Sequence, residues 1–400
     1  MGRMSHPKKI NPSLMITMLV IAIFLSMTSR TIFSPLMPML QKELGISLST
    51  AGTLFFMISL SYGVTILFAG FLSSRIGHGK AIVTALAAIS LGLLLSAVSW
   101  GILPLSMGMV LIGAGAGIYP PSGLVMINTT ISLEHRSTAF SFHEIGPNLA
   151  LLVSPLIVLA LEPWFGWRGV LLCLSVAVFL GSMVFLRWGA PGSGMGAPPR
   201  LSTIGKILRL RTTILGMVIM SAALSGQQGV YAILPAYLVT EHGLSSQYVN
   251  VLLSISRVTG IILLLRSGPV INHIGRRATI FGVLFFSALC TAMLGILKGI
   301  PLAVAVIAQP ALLTVLFPAA LSSLSEIGEA QYQNITYALI ITIGVGGGVG
   351  VAPAILGVMG DLGIGWLGFI LLAVYMAFAM LFLKSTPVFG REVRNRENRQ

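Results

Sequence analysis

The sequence predicts an all-α membrane protein whose twelve transmembrane helices form two parallel six-helix repeats, and three observations lead there. Of its 400 residues 56% are hydrophobic and only 8% charged, where a soluble domain carries about a quarter charged residues. The apolar residues gather into twelve runs long enough to cross a bilayer, which takes about 20 residues. Short anchors then recur at one offset: GFLSSRIGHGK from Gly70 and GPVINHIGRR from Gly268 lie 198 residues apart, PMLQKELGIS from Pro38 and PAYLVTEHGLS from Pro235 lie 197 apart, and GWRG from Gly166 and GWLG from Gly365 lie 199 apart. Offsets that agree to within a residue or two across three unrelated strings are the signature of an internal duplication.

The elements follow in order. The basic segment MGRMSHPKKINPS leads into an apolar run over residues 12–38. No small-residue cleavage site interrupts that run, so a retained first helix is expected and not a signal peptide. Further runs cover 50–73, 80–99, 102–127, 137–161 and 167–187. A Gly/Pro-rich tether, GAPGSGMGAPPR, and a basic stretch, KILRLR, separate these from a second set at 212–238, 247–271, 277–297, 301–324, 331–358 and 364–384. Backbone groups in hydrocarbon must bond internally, and runs of this length without alternation do so as helices. The expected organisation is an N-terminal half over 1–190, a linker over 191–211, a C-terminal half over 212–390 and a tail over 391–400.

The net charge of +14 would point to nucleic acid in a soluble protein, but its distribution explains it otherwise. Nineteen Lys and Arg fall on the termini and the even-numbered junctions, and three, Lys42, Arg168 and Lys298, on the other side. Basic residues stay in the cytoplasm, so both termini are expected there, in the inner membrane, with the lipid bilayer and not nucleic acid as the partner. A monomer is expected. Cys173 and Cys290 each sit within an apolar run and read as small core residues, so neither a metal nor any other cofactor is expected. No zinc-binding HExxH and no paired catalytic aspartates lie in the spans, and the chain does not read as an enzyme.

Few charges remain inside the runs: Arg30 in the first, Arg257 in the eighth, and His143 with Glu144 in the fifth. An arginine stays protonated, and holding it near the bilayer centre costs at least ~2.5–3.5 kcal/mol on insertion scales. It therefore needs a counter-charge. Arg30 can snorkel to the surface or bond the backbone carbonyls at the Pro35 and Pro38 kinks, and Arg257 can pair with Glu144. The functional alternative is that the two arginines, one from each half, face a central cavity and jointly bind an anion, the planar guanidinium matching a carboxylate or phosphate. Glu144 is the acidic residue deepest in a span, where desolvation favours proton uptake, and with His143 it forms a candidate proton-coupling pair. Tyr119 and Asn128 in the fourth run, Asn148 in the fifth, Gln227, Gln228 and Tyr231 in the seventh, Gln309 in the tenth and Tyr332, Asn334 and Tyr337 in the eleventh are polar residues that could line the cavity, or simply bond one helix to another.

The two glycine-rich basic loops resemble those of the major facilitator superfamily of secondary transporters, and the resemblance covers the whole chain. Gly70, Arg75, Gly77, His78 and Lys80 match the family's loop pattern, as do Gly268, Gly275, Arg276 and Arg277, while Ser74 and Asn272 replace its aspartate. The resemblance implies a gating role for Gly70, Arg75, Gly77, Lys80, Gly268, Gly275 and Arg276, and a cytoplasmic lock that leans on hydrogen bonds instead of that aspartate's charge. It also implies a cavity on helices 1, 4, 7 and 10, which favours Tyr119, Gln227 and Tyr231. Organic-anion carriers of the superfamily place an arginine in helix 1 or in helix 8, as here. Its drug/proton antiporters carry an arginine before the helix 4 glycines, and this chain has Gly113, Gly115 and Gly117 without one. The expected function is secondary active transport of a small organic anion, a mono- or dicarboxylate, coupled to protons by alternating access. Export of amphipathic drugs or lipid-like compounds by the same fold is the alternative.

Overall fold

Every apolar run of the sequence forms helix in the computed structural model, which describes residues 11–189, 201–324 and 333–385. The first span, α1, runs over Pro12–Leu44 with a break at Ile32, six residues beyond its expected end. It is followed by α2 (Leu48–Ile76), α3 (His78–Ala97) and α4 (Ile102–Thr130). The next helix, Arg136–Trp188, contains a 51-residue apolar stretch, about 77 Å at the helical rise against a hydrocarbon core of about 30 Å. It is two spans. Gly166, at φ 63°, breaks it in a backbone region where an L side chain is strained, leaving α5 (136–165) and α6 (167–188). In the second half come α7 (Arg211–His242), α8 (Ser246–Ile274), α9 (Arg276–Ile296) and α10 (Gly299–Leu324). α11 runs from Gln333–Val345 through Gly346–Val351 to Ala352–Asp361, and α12 spans Gly365–Ser385. Twelve spans thus stand among the described residues.

The duplication is written in the backbone. Gly45 and Gly243 turn the chain between spans at φ 64° and 63°, and Gly77 and Gly275 do so at φ 81° and 85°. Each pair stands 198 residues apart. Both Gly77 and Gly275 place ψ near 155° before the next helix begins. The short helix Leu201–Leu208 occupies the C-terminal part of the expected linker; residues 190–200, the tail beyond 385, and 325–332 lie outside the described residues.

Packing divides the chain differently from the sequence. One compact unit takes Met1–Phe33 with Leu60–Pro199, and the other takes Ser34–Ser59 with Arg200–Gln400, over their described residues. In the first unit α3 and α4 approach until their backbones touch: a Cβ on Gly92 would lie 2.6 Å from the Gly108 carbonyl oxygen. Serine pairs fasten other helices, Ser90 Oγ donating to the Ser175 carbonyl at 2.9 Å while Ser175 Oγ donates to that of Ser90 at 2.8 Å.

In the second unit, residues 34–59 join α7, α8 and α11 through direct bonds. Ser34 Oγ donates to the Tyr231 carbonyl at 2.6 Å. Asp361, at the C-terminus of α11, accepts from the backbone N–H groups of Leu48 at 2.9 Å and Ser49 at 3.0 Å, the first turn of α2. A carboxylate is disfavoured at the end of its own helix and favoured at the start of another, because the helix dipole is negative at one and positive at the other. Below this cap a Cβ on Gly52 would meet the Pro353 carbonyl at 2.3 Å, and one on Gly357 that of Leu48 at 2.2 Å. The seam is why 34–59 belong to this unit.

Candidate functional site

α7 is not regular. Over Ser225–Gly229, the stretch SGQQG, it widens into a π turn, and α11 does the same over Gly346–Val351. A π turn shifts the hydrogen-bond ladder and leaves carbonyls seeking other donors, and such turns gather at functional sites. Here side chains from neighbouring helices supply them. Gln309 Nε2 on α10 donates to the Gly226 carbonyl at 2.9 Å, and Arg257 Nη2 on α8 donates to the next carbonyl, Gln227, at 3.3 Å. The two π turns also pack on each other, since a Cβ on Gly229 would lie 2.3 Å from the Gly348 carbonyl.

Arg257 is thereby held at 6% exposure. Its guanidinium carbon lies 4.3 Å from the centre of the Tyr231 ring. Among the described residues no carboxylate lies within ion-pair distance of it, and its Nε and the Tyr231 hydroxyl have no hydrogen-bond partner. A desolvated cation–π contact supplies about 2 kcal/mol and the charged hydrogen bond to the Gln227 carbonyl about 1.5–3 kcal/mol, against at least ~2.5–3.5 kcal/mol for a charge at this depth; the protein supplies no counter-charge among the described residues.

The first unit repeats the theme with other parts. Arg30, half-buried on α1, has its guanidinium carbon 4.8 Å from the ring centre of Tyr62 on α2, and Nη2 donates to Met27 Sδ at 2.9 Å. Its Nε has no partner, and it too lacks a carboxylate at ion-pair distance among the described residues. Bonding to the carbonyls near Pro35 and Pro38 is not what holds it; the aromatic face and the thioether do.

In the same unit Tyr119, fully buried on α4, donates from its hydroxyl to the Leu19 carbonyl at 2.8 Å and lies 2.9 Å from His143 Nε2. A hydroxyl has one proton to give, so Nε2–H is the donor in the second contact. His143 Nδ1 is then turned to Glu144 Oε1, 3.6 Å away, and has no hydrogen-bond partner. The imidazole is 9% exposed and the carboxylate 61%. Neighbouring helical positions point about 100° apart, so only His143 lies inside the unit, and Glu144 is not desolvated by protein as a carboxylate deep in a span was expected to be. A lone pair on Nδ1 facing a carboxylate leaves room for one further proton.

The remaining expected residues are dispersed. Asn148 is half-buried and its Nδ2 donates to the Glu144 carbonyl at 2.8 Å, within its own helix. Gln227 is buried and contributes its backbone carbonyl to Arg257. Gly70 and Gly268 lie in the last turns of α2 and α8, Gly77 and Gly275 form the turns, Arg75 and Lys80 are exposed, and Arg276 opens α9 half-buried. Ser74, where the family's aspartate would stand, donates to the Phe71 carbonyl at 2.8 Å in its own helix, while His78 is buried with Nδ1 3.2 Å from Ser122 Oγ. Sequence reasoning missed Tyr62 and the π turn of α7. Tyr62 carried the weak signal of an aromatic with a polar tip inside a span; the doubled glycines around Gln227 and Gln228 were the only trace of the turn in α7.

Comparison with known proteins matches the family model described as "Major Facilitator Superfamily" to residues 19–331. The probable L-galactonate transporter of Escherichia coli is 28% identical over 160 residues, which are 37% of this chain and 32% of that protein. The hexuronate transporter of Bacillus subtilis is 22% identical over 281 residues, 68% of this chain and 67% of the relative. The aligned part thus spans about a third of the first relative. Among solved structures, a bacterial homolog of the human lysosomal transporter Spinster, in an inward-facing and occupied conformation, aligns with TM-score 0.76 at 13% identity over 94% of this chain and 97% of that one. The nucleoside transporter NupG aligns with TM-score 0.75 at 11% identity over 94% and 100%. At such identities these two establish the fold.

Proposed function

The chain belongs to the major facilitator superfamily, and from that premise we propose that it is a secondary active transporter, not an enzyme, that carries a small organic anion of the carboxylate class by alternating access. The observation that carries the reading is Arg257: a buried guanidinium stacked on Tyr231, with a free Nε and no carboxylate at ion-pair distance among the described residues. A bidentate carboxylate satisfies two N–H donors and the charge together. Arg30 on Tyr62 offers a second cation of the same design in the first unit. Two relatives named for the carboxylates L-galactonate and hexuronate agree with this class. Differential affinity of such an anion for two conformations is what drives the change between them.

Proton coupling belongs to His143 and Glu144 in this reading. The proton that the Nδ1–carboxylate pair has room for is taken up and released as the carrier cycles, and Tyr119 keeps the imidazole in one tautomer. The excess of Lys and Arg on one side of the spans supports a topology with both termini in the cytoplasm and the protein in the inner membrane.

Proteoliposome uptake of a panel of carboxylates, phosphate and neutral sugars, with and without an imposed proton gradient, tests the reading. Uptake of a carboxylate that is stimulated by an inward proton gradient is expected; transport confined to neutral sugars or to amphipathic cations would overturn it.

A further inference from the structure

The charge of Arg257 is not the only unmet demand around the π turn of α7. Gln309, fully buried on α10, spends both amide hydrogens: Nε2 donates to the Gly226 carbonyl at 2.9 Å and to Thr291 Oγ1 at 3.1 Å. Thr291 Oγ1 gives its own proton to the Ser287 carbonyl at 2.7 Å and can only accept from the amide. The amide orientation is thereby decided, because a flipped Gln309 would set oxygen against two acceptors. Its Oε1 is left buried with no partner. The Tyr231 hydroxyl, at the far end of the ring that carries Arg257, is in the same condition, with the residue 3% exposed.

These groups converge on one short piece of chain. Gln309 and Arg257 hold consecutive carbonyls of the π turn, Gly226 and Gln227, and Tyr231 follows Gln227 by one helical turn on the same face. An unpaired buried acceptor costs about 1–3 kcal/mol, and a simple anion cannot relieve that cost at Gln309 Oε1, since it brings no proton to donate; the Tyr231 hydroxyl, donor and acceptor at once, can give its proton to a carboxylate and still accept from a substrate hydroxyl. A ligand that satisfies Arg257, Gln309 and Tyr231 together carries a carboxylate and hydroxyl groups on the same molecule.

We propose that Gln309 Oε1 and the Tyr231 hydroxyl form a hydroxyl-reading subsite beside Arg257, which selects polyhydroxylated carboxylates over plain ones. The inference rests on the organic-anion reading above and goes further, assigning specificity to two residues that hold no charge. A site built to bond a substrate hydroxyl rejects the analogue without it strongly, because the protein groups are then left unpaired in a dry site.

The matched probes are D-gluconate and hexanoate, six-carbon carboxylates with and without hydroxyls, measured by competition and by direct uptake in proteoliposomes of the full chain. Wild type is expected to favour gluconate by about a hundredfold or more. Tyr231→Phe keeps the ring under Arg257 and removes a hydroxyl that bonds nothing in the protein, so the fold is untouched; the gluconate preference should fall at least tenfold while Arg257→Gln still abolishes uptake in its background. Gln309→Met, which also frees the Gly226 carbonyl, should lower the preference further, with thermal stability recording its structural cost separately. Equal handling of gluconate and hexanoate by wild type, or an unchanged preference in Tyr231→Phe, overturns the subsite and leaves the anion reading standing. Uptake of neither acid, or uptake indifferent to Arg257→Gln, overturns the anion reading itself.

Discussion

The two halves carry the same backbone and different chemistry. Gly45 and Gly77 reappear as Gly243 and Gly275 with matching torsions, yet at the shared offset of 198 residues the counterpart of Arg30 is Gln228 and that of Arg257 is Ser59. Each half stacks a guanidinium on a tyrosine, but the first takes arginine from α1 and tyrosine from α2, while the second takes tyrosine from α7 and arginine from α8. The adjacent His143 and Glu144 have only Ile341 and Thr342 at the corresponding places. Geometry of the chain survives duplication because it is set by a few glycines and by the length of hydrocarbon to be crossed. Side-chain chemistry is free to diverge, and here it does: the first half holds the neighbouring His143 and Glu144, and the second the unpartnered Gln309 Oε1.

The largest expected effect comes from the arginine that is more deeply enclosed. Arg257→Gln should reduce carboxylate uptake more than a hundredfold, and because it removes a buried charge without a protein counterion, thermal stability should hold or rise. Loss of stability together with function would make Arg257 a structural residue. Arg30→Gln should cost about tenfold in apparent affinity, since Arg30 is only half-buried and its free donor contributes about 1.5–3 kcal/mol at most as a hydrogen bond to a charged group. An equal loss at both positions would erase the asymmetry between the halves.

Smaller effects test the contrast between the halves. Glu144→Gln should leave counterflow exchange of unlabelled for labelled carboxylate intact and abolish accumulation driven by a proton gradient; unchanged accumulation would return the His143–Glu144 pair to a packing role. Gly77→Ala and Gly275→Ala should each lower stability by roughly 1–3 kcal/mol from the positive-φ, extended-ψ backbone they occupy, which is essentially open to glycine alone. Thermal denaturation of the two variants should give matching shifts, and a marked difference between them would show that the turns are not equivalent.

Much of this architecture was legible in residues. Arg30 and Arg257 stand out because a charge is rare in a span, and GFLSSRIGHGK and GPVINHIGRR mark equivalent turns. The expected reach of α1 fell short because Pro38 reads as an end, and proline inside a helix is tolerated where neighbouring groups take up the freed carbonyl. Asp361 passed unnoticed because its partners, the N–H groups of Leu48 and Ser49, are more than 300 residues away. Glu144 was expected to be desolvated because it lies within the fifth run, but position along a helix does not say which way a side chain faces.

The sequence by itself determined that this is a membrane protein of two duplicated halves, where each span begins and ends to within a few residues, and which side chains are too costly to be idle. Hydropathy and backbone satisfaction act locally, and a one-dimensional string records them. Only the tertiary structure decided what those side chains meet: Arg257 on Tyr231, the freed carbonyls of α7 held by Gln309 and Arg257, and His143 rather than Glu144 turned inward. Those outcomes depend on the rotation of each helix about its axis and on contacts between residues far apart in the chain, where a displacement of one position swings a side chain by about 100°.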